Sequence, residues 1–374
     1  MDGIRALAAS YVVLFHAVLG FAGNDLSGRW RLLRGAFGFG HEAVAVFIVL
    51  SGYCLMLPVV GADGYSLRGT LGSFFRRRAR RILPPYFATL ALSLLAIALL
   101  PPLRRAGTGT IWDDSLPAFE PRALLAHLVL LHNWLPDLAY RINGPLWSVA
   151  SEWQIYFFFP LLLLPLWRRG GPGLTLGVAV LVGYTPLLLV RAPSMAAIPW
   201  YLFLFTLGMI AASKSYGPAA AQGSAPRSPW GSLAAASWLG CAAFGLGAAK
   251  IWFQLKPLTD ALVGGATAFT LIYLAELTAR ERTAAPARRH PLLWLLESRP
   301  ALAVGHFSYS LYLTHLPVVA LCYFAIAGHG LSASAVALLT MATSLPSSLL
   351  VAYLFHLVFE RRFMVPAPTR SQAR

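Results

Sequence analysis

In a chain this apolar, the residues able to do chemistry are few and costly to place. A charged side chain near mid-bilayer costs at least ~2.5–3.5 kcal/mol on insertion scales, so those present usually face a cavity and act there. Arg5 and His16 lie in the first apolar stretch, MDGIRALAASYVVLFHA, eleven positions apart. Eleven steps of about 100° return to within about 20° of the same helix face, with a rise of roughly 16 Å. One face thus carries a guanidinium near one edge and an imidazole past the middle. A snorkelling arginine and a histidine bonded to a neighbouring helix explain the pair equally well. Glu152, in GPLWSVASEWQIYFFFPLLL (144–163), is expected at the depth of His16, on a helix running the other way. A carboxylate that orients an imidazole and supports its positive charge is a base-plus-orienter pairing. A structural hydrogen bond between helices is the plainer alternative.

Two further groups follow. In FFRRRARRILPPYF (74–87), Arg78 and Arg81 are three apart and share a helix face. Guanidinium pairs grip phosphate bidentately, so a CoA-type donor with its phosphates fits there. A basic run at a cytoplasmic helix end is also an ordinary topology anchor. The prolines after it suit the first turn of a helix. In GHFSYSLYLTHLPVV (305–319), Ser308, Tyr312 and His315 align on one face through spacings of four and three. Glu360 stands beside Arg361 and Arg362, and a local ion pair accounts for it.

The elements that must hold these groups are membrane helices. Of 374 residues, 57% are hydrophobic and 12% charged, against roughly a quarter charged in a soluble domain. Such a chain cannot cover a water-facing surface. Crossing about 30 Å of hydrocarbon takes about 20 apolar residues. Spans are expected at 4–22, 41–60, 83–101, 145–167, 173–191, 197–213, 230–249, 257–279, 302–326 and 333–358. The fold class is therefore an all-α polytopic bundle of about ten transmembrane helices. The stretch 122–135 is short and interrupted, and reads as a re-entrant or interfacial helix.

The net charge of +16 sits in loops flanking the spans, which argues against a nucleic-acid partner and for membrane lipid. With the N-terminus inside, nineteen of the 30 Lys and Arg residues fall on the cytoplasmic side and ten outside. Both termini are then cytoplasmic. Cys54, Cys241 and Cys322 fall inside spans without CxxC spacing and read as buried apolar residues, neither disulfide nor metal ligands. No cleavable leader is visible, and the chain opens almost inside its first span, so a few residues are expected upstream. One membrane domain, 1–362, contains a linker at 214–229 and precedes a polar tail at 363–374. A transporter would also place Arg, His and Glu in spans, but no inverted repeat supports it. A hydrolase is disfavoured, because neither GxSxG nor HExxH occurs.

Five blocks, in order, resemble acyltransferase family 3, the membrane O-acyltransferases that acylate sugars. DGIRALAASYVVLFH resembles the family's "LDGLRGLAAL…VLFH", and VFIVLSGYCL its "FFxLSGFL". RRARRILPPYF matches its arginine–x–x–arginine stretch before Pro and Tyr. PLWSVASEWQIYFFFP is similar to "PLWSLSVEEQFYLLFP", and SYSLYLTHLPV to "SYSLYLWHxPV". The resemblance implies acyl-CoA, with acetyl-CoA foremost, as co-substrate and a sugar, glycan or small-molecule hydroxyl as acceptor. It implies catalysis by His16, Glu152 and Arg5, donor binding by Arg78 and Arg81, and no metal. Substrate contacts are expected at Trp147, Tyr156, Tyr312 and His315. The second acidic position of the pattern is Trp153 here, leaving one carboxylate. Family members often append a soluble hydrolase-like domain, and none is expected here. A bacterial inner membrane is the implied location.

Overall fold

The computed structural model describes residues 1–22, 35–189, 197–217, 229–247, 255–283 and 290–364. The expected linker falls mostly outside these residues, as does nearly all of the expected tail, together with the ends of two expected spans. The described residues form helices and turns, with no strand among them.

In chain order the helices are α1 Asp2–Phe15, α2 Gly40–Val60, α3 Leu71–Leu99, α4 Pro121–Leu128, α5 Leu146–Phe158, α6 Leu164–Leu189, α7 Tyr201–Tyr216, α8 Trp230–Gly247, α9 Lys256–Thr283, α10 Pro291–Leu296, α11 Arg299–His306, α12 Ser308–Ala327 and α13 Ala333–Phe355. Against the ten expected crossings, seven helical runs among the described residues are long and apolar enough to cross a membrane. One of the seven, Leu146–Leu187, runs 42 residues through α5 and α6 and breaks at Gly171, whose φ of 67° no longer fits a helix. It takes up most of two expected spans, 145–167 and 173–191. Helix α7 has 16 residues, about 24 Å at the helical rise, short of a crossing on its own. The stretch expected as a re-entrant or interfacial helix is the short α4 followed by a single turn at His132–Trp134.

Helix α3 corrects an expectation. It starts at Leu71 rather than near 83, because Thr70 caps it by accepting from the Ser73 N–H at 3.2 Å. The arginine run is therefore the helix's own second and third turns, and Pro84 and Pro85 sit inside the helix instead of opening it. Interior prolines remove backbone bonds to preceding carbonyls, a loss that neighbouring helices can offset in a membrane bundle. Pro84 and Pro85 leave the Arg80 and Arg81 carbonyls without that bond, and one residue further on the Tyr309 hydroxyl donates to the Ile82 carbonyl at 3.2 Å.

The core is closed by near contact of backbones. Gly52 of α2 faces the Phe205 carbonyl of α7, and Gly208 of α7 faces the Val49 carbonyl of α2, each so close that a Cβ would overlap it. Small residues at a membrane helix interface let dispersion contacts replace the hydrophobic drive that lipid does not supply. Along α13, Thr340, Ser344 and Ser348 repeat every four residues and are fully buried.

Candidate active site

A cavity of about 120 Å³ lies between α1, α2, α3, α5 and α12. Arg5, Arg78, Arg81, Glu152 and Tyr156 line one end, and Val44, Phe47, Ile48, Val149, Ser148 and Tyr312 the other. Five separate stretches of sequence therefore meet around one volume.

At the charged end, Arg5 donates to Asp2 at 3.0 Å and to the Cys54 sulfur at 3.2 Å. Cys54 is thus a wall of the cavity and an acceptor, where a plain apolar role was expected. Tyr156 donates to Glu152 at 2.5 Å. Its single proton is then committed, so in the 3.1 Å contact with Ser51 the serine is the donor. Glu152 is thereby held one turn from its own tyrosine. Arg78 and Arg81 form no ion pair among the described residues, and the buried Arg78 Nε has no hydrogen-bond partner. A buried guanidinium donor without a partner is expensive, and its chemistry suits an anionic oxygen.

At the far end, Ser148 and Tyr312 share a 2.7 Å hydroxyl contact. The Tyr312 ring stands 5.9 Å from the His315 ring, on the side away from the arginines. His315 Nδ1 faces the carbonyls of Tyr312 at 2.8 Å and Leu311 at 3.2 Å. Carbonyls only accept, so Nδ1 carries the proton and His315 Nε2 is a bare acceptor. That Nε2 lies 3.0 Å from His16 Nδ1, which also points at the Val12 carbonyl at 3.0 Å. Both partners accept, so the His16 proton is on Nδ1 and its Nε2 lone pair is free. His16 sits where α1 passes into a π-helical turn, His16–Ala22, a distortion frequent at functional sites.

The structure brings together Arg5, Arg78, Arg81, Glu152, Tyr156 and Tyr312, and separately His16 with His315. It does not bring Glu152 to His16. Ser148 and Tyr312 meet at one level; Glu152 lies four residues from it along α5, and His315 three residues from it along α12. These helices run oppositely, so the carboxylate and the imidazole pair are about 10 Å apart along the axes. Counting depth from predicted helix ends hid that offset. His315, expected to touch substrate, is fully buried and stands beside His16, at 3.0 Å, where Glu152 was expected. Glu360 is not explained by its neighbouring arginines: it accepts from Ser310 at 2.5 Å and meets His356 at 2.7 Å, and it is 2% exposed.

Trp147 lies outside the cavity. It stacks on His41 at 5.3 Å, and Lys256 lies over its ring at 5.9 Å. Asp260 completes this second cluster, accepting from Trp200 at 2.8 Å. Sequence reading missed it, since its members come from four helix starts that only the fold unites. Beside α4, His127 and His132 stack at 3.8 Å. Burial pushes His127 down to about 4, and burial together with His127 pushes His132 down to about 2. No cluster of metal-ligating type occurs among the described residues.

A family model described as an acyltransferase domain matches residues 1–357. The chain belongs to acyltransferase family 3. Among curated relatives, the acyltransferase MdmB of Streptomyces mycarofaciens is 31% identical over 124 residues, 33% of this chain and 28% of that protein. The O-acetyltransferase OatA of Staphylococcus aureus is 26% identical over 181 residues, 46% of this chain and 26% of that protein. The chain thus spans little more than a quarter of these relatives' length. No solved structure matches it.

Proposed function

We propose that this acyltransferase takes its acyl group from an acyl-CoA, acetyl-CoA foremost, and places it on a hydroxyl of a sugar, a glycan or a small molecule. The observation that carries the reading is the gradient of the cavity. Three guanidiniums, one with an unmet donor, stand at one end, and a hydroxyl pair backed by two histidines stands at the other. Phosphates suit the first end, and a thioester carbonyl suits the second. The charged end then faces the cytoplasm, with both termini on that side of a bacterial inner membrane. The 42-residue run broken at Gly171 supports counting two crossings there, toward the ten expected. Residues 1–362 act as one domain.

In this reading Arg78 and Arg81 hold the donor phosphates, while Arg5 and Glu152 border the pantetheine path. Rotation of the Tyr312 ring away from Ser148 joins the cavity to the histidine pair. His16 Nε2 takes the acceptor hydroxyl proton as the oxygen attacks the thioester carbonyl. The C–S bond breaks, and the His16 proton passes to the departing CoA sulfur, giving an ester and free CoA. His315 holds the imidazole and stabilises its charged form. The test is thioester consumption by the purified protein with a panel of glycoside acceptors. The account expects turnover that falls when Arg78 and Arg81 are both replaced by alanine, through a weaker donor KM. Turnover indifferent to that double change would overturn the donor assignment.

A further inference from the structure

The cavity's far end has a shape that bears on which acyl groups can be used. Along α2 the lining runs from Val44 to Leu55, eleven residues or about 16 Å of axis. The space of about 120 Å³ takes on the order of four to ten waters, at about 10–30 Å³ each. Spread over that length, they make a file no more than about two molecules wide. An unbranched arm fits such a file, and whatever sits at its end must be small.

The two ends also differ in what they can solvate. Ser51, Glu152, Tyr156, Ser308 and Tyr309 lie toward the arginines, bonded among themselves or to backbone carbonyls, and keep acceptor lone pairs for the amides of a pantetheine arm. At the far end Ser148 and Tyr312, which bond each other at 2.7 Å, are the only polar side chains among the described residues lining the cavity. An amide left there would be short of partners and costly, whereas an alkyl group would not. Phe47 closes this end beside Tyr312, the two rings packing at 5.9 Å and 66°. Tyr312 stands between the cavity and the fully buried His315 and yields when the histidine pair is reached, so Phe47 is the wall that the alkyl group meets.

We infer that Phe47, with Val44, Ile48 and Val149 around it, sets the length of the acyl group, admitting two or three carbons and excluding longer chains. The inference rests on the donor reading proposed above and adds to it the residue that selects the donor. Removing the Phe47 ring opens the file at its blind end without touching the arginines or the histidine pair. In a hydrophobic pocket one methylene is worth about 10- to 200-fold in discrimination.

The experiment uses the full chain purified in nanodiscs, with acetyl-, propionyl-, butyryl- and hexanoyl-CoA. It reads displacement of labelled acetyl-CoA and thioester turnover with one glycoside acceptor. Wild type is expected to lose at least about tenfold in kcat/KM per methylene beyond propionyl. Phe47→Ala is expected to raise the butyryl-to-acetyl ratio at least about tenfold, and Val149→Phe to lower the propionyl-to-acetyl ratio by a similar factor. A ratio cancels losses of folded protein, so a merely structural role for Phe47 would leave it unchanged. Thioesters that bind and turn over without length preference, or variants that leave the ratios alone, overturn the inference. If no thioester binds at all, the donor reading itself fails, and the inference falls with it.

Discussion

Replacing His315 by phenylalanine keeps the ring and the bulk but removes the atom that faces His16. In the resting protein His16 Nδ1–H lies 3.0 Å from both His315 Nε2 and the Val12 carbonyl. The second acceptor remains in the variant, so the neutral imidazole loses only part of a bond worth about 0.5–1.5 kcal/mol net. The charged imidazole formed during proton abstraction makes stronger bonds, about 1.5–3 kcal/mol. The difference, about 1–2 kcal/mol, is the share of transition-state stabilisation lost, or roughly 5- to 30-fold in kcat. Donor KM should hold, because His315 does not line the cavity. His16→Ala should cost far more, about 10²–10⁴, the range for loss of a general base. The assay is steady-state acyl transfer with donor and acceptor varied separately. If His315→Phe were silent while Glu152→Gln carried the loss in kcat, the carboxylate would be the orienter and the histidine pairing would be wrong.

Other outcomes follow from the same geometry. Arg78→Ala removes a charge-assisted contact of about 1.5–3 kcal/mol, so CoA affinity measured by calorimetry should fall roughly 10- to 150-fold, with kcat little changed. Gly52→Ala places a methyl on the Phe205 carbonyl and should destabilise by about 1–3 kcal/mol through overpacking. Gly240→Ala, with open space around it, should not, and thermal denaturation in detergent distinguishes the two. His127 is held neutral down to about 4, whereas in the unfolded chain it would titrate near about 6.5. Its contribution is thus fully present above the unfolded value. It is lost as pH falls below that value, at up to about 1.4 kcal/mol per unit. Melting temperature should drop from pH 6.5 towards 4.5, and His127→Phe should flatten the drop. A profile unchanged by that substitution would deny the burial effect.

Most of the fold class was legible because hydropathy in a membrane chain is dictated by lipid, and the apolar runs of α1, α2, α12 and α13 lie close to where composition puts them. The start of α3 was not, since a helix-favouring arginine run and a Thr70 cap outweigh two interior prolines. Arg5 and Glu152 could be named in sequence by the cost of charge in a span, and Arg78 and Arg81 by a three-residue spacing that suits paired guanidiniums to phosphate. Their partners could not. Which carboxylate or imidazole faces His16 depends on a vertical offset of about two turns between α5 and α12, and periodicity fixes the face of a helix but not its height. Phe47 and the His41–Trp147–Lys256–Asp260 cluster are apolar or loop-edge residues in sequence, and only packing gives them neighbours.

The measurement that bears most directly on the central claim is transfer of label from acetyl-CoA to a glycoside acceptor in proteoliposomes, comparing wild type with His16→Ala at matched protein levels. Labelled ester is expected from wild type, with a loss of about 10²-fold or more in the variant. Equal transfer by both, or a wild type that consumes no thioester, would contradict it.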